Sequence, residues 1–103
     1  MKYANQIGYS DVTPYEVIRT IGAKTFEVRQ MKCERDPSWN MDIEIGGFLG
    51  HVHNQRDQKW FIDSDPQGYT CKIRLHKDGY WRNADGAKFS LNDHPVKFYD
   101  FNF

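Results

Sequence analysis

The sequence predicts an all-β domain: a small antiparallel barrel or strongly bent sheet of about six to seven short strands. Three observations lead there. At 103 residues the chain can fill one core and not two. Aromatic residues make up 16 % of it against 39 % hydrophobic in all, so burial rests on a few large rings. Runs of β-branched and aromatic residues alternate with turn-forming clusters, and no stretch of about ten residues keeps helical spacing.

Residues 1–13 carry little periodicity and many small or polar types, so they read as an N-terminal arm, with residues 14–103 as the single domain. Tyr15 to Ile21 and Thr25 to Met31 are strand-like runs separated by Gly22-Ala23-Lys24, which predicts a hairpin. In its second strand Phe26 and Val28 face the core while Glu27 and Arg29 face water. Asp36-Pro37-Ser38-Trp39 marks a turn. Phe48 to His53, after Gly46-Gly47, and Lys59 to Ile62 read as a second hairpin joined by the polar residues 54–58.

Asp63 to Gly68 is a dense turn cluster that leads into the clearest strand, Thr70 to His76. There Cys71, Ile73 and Leu75 point inward and Lys72, Arg74 and His76 outward. Asp78-Gly79 and Asp85-Gly86 are hairpin dipeptides of the type I′ kind, bracketing Tyr80-Trp81-Arg82 before Lys88 to Leu91. The tail from Val96 to Phe103 alternates Tyr99, Phe101 and Phe103 with polar residues. It is expected to dock as a final strand, because left exposed it would invite edge pairing.

Lysine plus arginine equals aspartate plus glutamate at 14 each, so no global field draws the chain to nucleic acid, and any such contact must be a local patch. No apolar signal region stands at the N-terminus and no run approaches a membrane span of about 20 residues, so the expected location is cytoplasmic with no membrane partner. Cys33 and Cys71 are the two cysteines and are expected to be free thiols.

The hairpin Thr13 to Arg19 followed by Lys24 to Arg29 resembles the first hairpin of SH3-like small barrels. The order Gly46-Gly47-Phe48, Asn54-Gln55, Gln58-Lys59-Trp60, Ile73 to Gly79 and Lys97 to Phe103 resembles small uncharacterised proteins of phages and mobile elements, over residues 13–103. That resemblance implies a setting, an accessory or anti-defence role toward a host or phage protein, and carries no activity with it.

No serine elbow, phosphate-cradling glycine loop or zinc-protease motif is present, so a non-enzymatic domain without a cofactor is expected. His51 and His53 share a strand face and are the metal candidates, but no spaced cysteine or histidine pair completes a set, and two solvated strand histidines is the simpler reading. The aromatic surplus favours a protein-binding module, through Trp39, Trp60, Trp81 and Arg74, contacting a host or phage protein or a second copy. The alternative is nucleic-acid binding through Lys72, Arg74, His76 and Trp81. On that reading Arg19, Arg29, Lys59 or Arg82 extends the basic strip, and Trp60 or Tyr80 adds stacking surface.

Overall fold

The structure, a computed structural model, describes residues 3–39, 43–44, 51–52 and 58–99. Its strands are β1 (Tyr3–Ile7), β2 (Val12–Gly22), β3 (Thr25–Gln30), β4 (Lys32–Arg35), β5 (Ile43–Glu44), β6 (His51–Val52), β7 (Trp60–Asp63), β8 (Thr70–Leu75), β9 (Trp81–Arg82) and β10 (Lys88–Asn92). No helix occurs among the described residues. Six strands close an antiparallel barrel in the order β1-β10-β9-β8-β3-β2. With the segment 32–63 set aside, chain neighbours are barrel neighbours throughout. The fold is therefore the expected small all-β barrel, consistent with SH3-like barrels.

Alternation builds the core. Each long barrel strand sends one fully buried residue inward: Ala4, Tyr15, Val28, Ile73 and Phe89, with Phe26, Cys71, Trp81 and Leu91 packed around them. Tyr15 meets Phe89 edge to face at 5.2 Å, and Phe26 stacks on Trp81 at 4.9 Å. Both geometries suit ring quadrupoles and add stabilisation beyond the buried area. Burial also raises the Tyr15 phenol above its ordinary pKa.

The first correction concerns residues 1–13, expected to be an arm. Residues 3–7 form β1, which pairs with β10 on one side and with β2 on the other, and β2 already begins at Val12. The buried positions there are Ala4, facing the core, and Asn5, on the opposite face beneath the chain that follows β10; one is small and one polar, so hydrophobic periodicity carries no signal. Asn5 is only 2 % exposed and its carboxamide is used at both ends. Nδ2 donates to Asn92 Oδ1 and to the His94 carbonyl, both at 3.0 Å, and Oδ1 accepts from the Val96 amide at 2.8 Å.

The second correction concerns the middle of the chain. β6 pairs with β5, and β7 pairs with β4, so the two runs expected to form one hairpin belong to two nested ladders. Residues 45–50 and 53–57 lie outside the described residues. The ladder of β2 with β3 ends at Tyr15↔Gln30, where Pro14 has no amide to offer and only its carbonyl accepts, from Met31 at 3.0 Å. From Met31 the chain leaves the barrel into β4. Phe98 takes up part of the vacated edge of β2, exchanging both backbone hydrogen bonds with Val12 at 2.9 and 3.0 Å. The expected final strand is thus a single bridge among the described residues, and 100–103 lie outside them.

The third correction concerns the hairpin dipeptides. Gly79 and Gly86 both have φ of 85°, while no other described residue has positive φ, so Asp78 and Asp85 cannot sit in type I′ turns. In both loops the glycine amide donates to the carbonyl three residues back, His76 or Asn83, and that same residue's amide donates to the carbonyl after the glycine, Tyr80 or Ala87. This is the three-residue loop, a type I turn closed by a left-handed glycine. Asp36 to Trp39 is a turn as expected, its carboxylate accepting from the Ser38 amide at 2.8 Å.

Asp65-Pro66-Gln67-Gly68 has the residues a type I turn favours, and its last member is constrained from outside. A Cβ on Gly68 would stand 2.1 Å from the Gln30 carbonyl oxygen, because the turn passes directly over β3. Gly68→Ala is expected to cost about 3 kcal/mol through overpacking, read as a lower urea midpoint at unchanged slope. Gly22→Ala, with open space around the added methyl, is expected to be neutral within about 0.5 kcal/mol. Asn5→Ala is expected to cost about 2 kcal/mol by leaving its partners unpaired, lowering Tm on the order of 10 °C by calorimetry.

Candidate functional site

Cross-strand register places the basic residues. Arg74 on β8 lies opposite Thr25 on one side and Arg82 on the other. Arg82 in turn lies opposite Lys88, and Lys88 opposite Ile7. Three cations therefore stand side by side on one rung of the outer wall, with Lys72 two residues along β8 opposite Glu27. Arg74, Lys72 and His76 are exposed as their alternation predicts, and they line a shallow depression of about 360 Å³ together with Thr25, Arg82 and Asn83. Arg74 and His76 also line the adjoining hollow beside Lys77 and Asp78.

These cations differ in what holds them. Arg82 is a strut: Nη2 and Nε donate to Asp78 Oδ2 at 2.8 and 3.2 Å, and Nη1 donates to the Gly86 carbonyl at 2.9 Å. One guanidinium thereby ties both glycine-closed loops to the end of β9. The same hydrogen bonds hold the Asp78 carboxyl below the usual carboxylate range. Glu27 is engaged by Arg19 at 3.6 Å, and Glu16 takes Arg29 at 2.8 Å and the Ser64 hydroxyl at 2.8 Å. Among the described residues no carboxylate pairs with Lys72, Arg74, Lys77 or Lys88.

The aromatic component of this face is Tyr80, 48 % exposed, with Lys88 Nζ 4.5 Å and Arg82 Cζ 5.7 Å from its ring centre. Trp81 cannot serve, although it neighbours Arg82 in sequence. Period two turns it inward onto Phe26 when Arg82 faces out. Of the proposed extensions, Arg82 joins the strip, while Arg19 and Arg29 are held by Glu27 and Glu16, and Lys59 stands before β7. Lys88 was missed. The spacing around Asp85-Gly86 contained it, because a three-residue loop closed by Asn83 and Ala87 sets Arg82 across from Lys88.

The residues expected to hold a protein partner are not brought together. Trp39 is only 6 % exposed, and Trp81 is half-buried, packed against the core cluster. Trp60 is half-buried on β7, its Nε1 donating to Gln58 Oε1 at 2.6 Å and its ring 5.5 Å from Lys97 Nζ. Gln58 also binds the tail through the Tyr99 amide and carbonyl, at 2.9 and 3.0 Å. Only Arg74 of the four is exposed, and it lies on another sheet from Trp60.

For metal chemistry, His51 falls in β6 with its backbone opposite Glu44, and His53 lies outside the described residues. No cluster of three His, Cys, Asp or Glu side chains suited to a metal occurs among the described residues. Cys33 and Cys71 are free and half-buried, and burial pushes both thiols up, away from the thiolate a nucleophile needs. No helix of the described residues is long and apolar enough to cross a membrane.

Facing Arg74 with Arg82 works against stability, since like charges directly opposite repel across a ladder. Arg74→Thr is expected to raise stability by up to about 1 kcal/mol at low salt, with the gain shrinking at 0.5 M salt in urea titrations. Beyond the barrel architecture, comparison with known proteins adds no relative: no family model, no curated protein and no solved structure matches the chain.

Proposed function

We propose that this barrel is a non-enzymatic nucleic-acid-binding module that contacts the phosphate backbone through Arg74 and Lys88, which flank the Asp78-held Arg82 on the outer rung, with Lys72 and His76 beside them. The observation that carries this reading is the placement of Arg74 and Lys88, neither paired with a carboxylate among the described residues, on the two sides of Arg82, with Lys72 two residues along β8, on a chain whose net charge is zero. A wall that gives up as much as about 1 kcal/mol of stability to keep cations adjacent is what a local polyanion site requires. The exposed ring of Tyr80 supplies the flat surface that accompanies cations in such sites.

A protein-binding reading, with a host or phage protein as partner in the setting the sequence resemblance suggests, retains one specific support. Phe61 on β7 is 52 % exposed, next to the half-buried Trp60. It is ranked second because the other expected anchors, Trp39 and Trp81, are occupied in packing.

The test is fluorescence anisotropy with labelled oligonucleotides across a salt series. With three to four phosphates contacted, log K is expected to fall with log salt at a slope of about −2 to −3, roughly 16- to 64-fold between 50 and 200 mM. Arg74→Glu is expected to abolish most of the binding. Asp78→Asn, which keeps the turn's acceptor and releases Arg82, is expected to tighten binding and to steepen the slope by up to about one unit. Affinity indifferent to salt, or unchanged in Arg74→Glu, refutes the assignment.

A further inference from the structure

We propose that the opening in the barrel wall between β9 and β10 receives an unpaired nucleobase stacked on Tyr80, making single-stranded nucleic acid the ligand class. This rests on the nucleic-acid reading above and goes beyond it, because phosphate contacts alone do not separate single strands from duplexes.

The opening follows from unequal strand lengths. β9 has two residues, and its ladder with β10 ends at Trp81↔Phe89. β10 continues through Ser90, Leu91 and Asn92, which pair with Asn5, Ala4 and Tyr3 on its far side. On the near side the chain has already turned away through Gly79 and Tyr80 into the 76–80 loop. A depression of about 350 Å³ results, lined by Gly79, Tyr80, Trp81, Phe89, Ser90 and Leu91, with Ile7 at its edge. That volume falls within the roughly 300–1,000 Å³ of small-ligand sites.

Its chemistry suits a base and not a free anion. Aromatic and aliphatic side chains make up most of the lining, and Ser90 adds a hydroxyl able to donate or accept at a base edge. Gly79 leaves that rim without a side chain, and its φ of 85° disfavours any replacement that would fill it. The cations stand just outside: Lys88 and Arg82 over the Tyr80 ring, Arg74 next on the rung. A base entering the slot therefore leaves its phosphate among them, which is the charge complementarity that selects a nucleotide chain as occupant.

Lys88 must give up its contact with the ring for a base to stack there. The exchange is favourable, because stacking a base on an aromatic ring contributes more than a single lysine cation–π contact does, and the displaced ammonium gains a phosphate. Bases inside a duplex are already stacked on one another and paired, with no free face to lay on the Tyr80 ring, so the slot discriminates by strandedness.

The experiment compares three labelled probes by anisotropy at fixed salt: a single strand of twelve nucleotides, the same strand with abasic positions, and the matched duplex, in deoxyribose and ribose forms. The 103-residue chain is expected to bind the single strand about tenfold tighter than either other probe. Tyr80→Ala is expected to bring the single strand to the abasic level while leaving the salt slope unchanged, and Tyr80→Phe to keep the preference. A preference shared by deoxyribose and ribose strands supports a slot that reads the base, and one confined to a single sugar overturns it. Salt-sensitive binding equal for all three probes, or a preference surviving Tyr80→Ala, overturns the base slot and leaves the phosphate-binding face standing. Absence of binding to every probe overturns both.

Discussion

A barrel whose first strand must pair with its last needs that strand fixed to the far end of the chain, and in this chain the Asn5 carboxamide reinforces the β1–β10 ladder in doing so. It bridges from β1 to Asn92, His94 and Val96, residues about ninety positions away in sequence. A buried amide is costly unless all its groups are used, and here both donors and the acceptor find partners. The same bonds direct the chain after β10 across the barrel end, which brings Phe98 to the edge of β2 that β3 has left. Closure and tail placement are thus one event.

The wall itself is shaped by where ladders are forced to end. Pro14 ends the β2–β3 ladder and lets the segment 32–63 depart, and the Asp65 to Gly68 turn brings the chain back so closely over Gln30 that only glycine fits. The short β9 does the same on the opposite side, leaving Ser90 and Leu91 without a partner strand there. Features offered as functional lie at these terminations, where backbone regularity yields and side chains of neighbouring strands spread apart.

Electrostatics on the outer face are divided between structure and the proposed function. Arg82 is committed to Asp78 and to the Gly86 carbonyl, and Arg19 and Arg29 to glutamates on adjoining strands, so these pairs hold loops and ladders. Arg74 faces a like charge across one ladder and a neutral threonine across the other. Local propensity, charge pairing and packing agree over most of the barrel, and the rung at Arg74 is where they disagree, which is where a binding role is to be sought.

Much of this was legible in the chain. Alternation placed Cys71, Ile73 and Leu75 inside and Lys72, Arg74 and His76 outside, and turn chemistry located the hairpins at Ala23-Lys24, Gly79 and Gly86, because side-chain period and backbone φ are local properties. What remained hidden was every relation between distant segments. β1 escaped notice because its buried residues are alanine and asparagine, whose burial depends on partners at the other end of the chain. Trp39 and Trp81 look like interface residues until packing claims them, and Tyr80 and Lys88 become a site only through the register of β9 with β10. The sequence by itself determined an all-β chain with its alternating faces and its turns. Tertiary structure alone decided which strands close the barrel, which rings are buried and which cations become neighbours, because register is set by the pairing of strands and not by either strand alone.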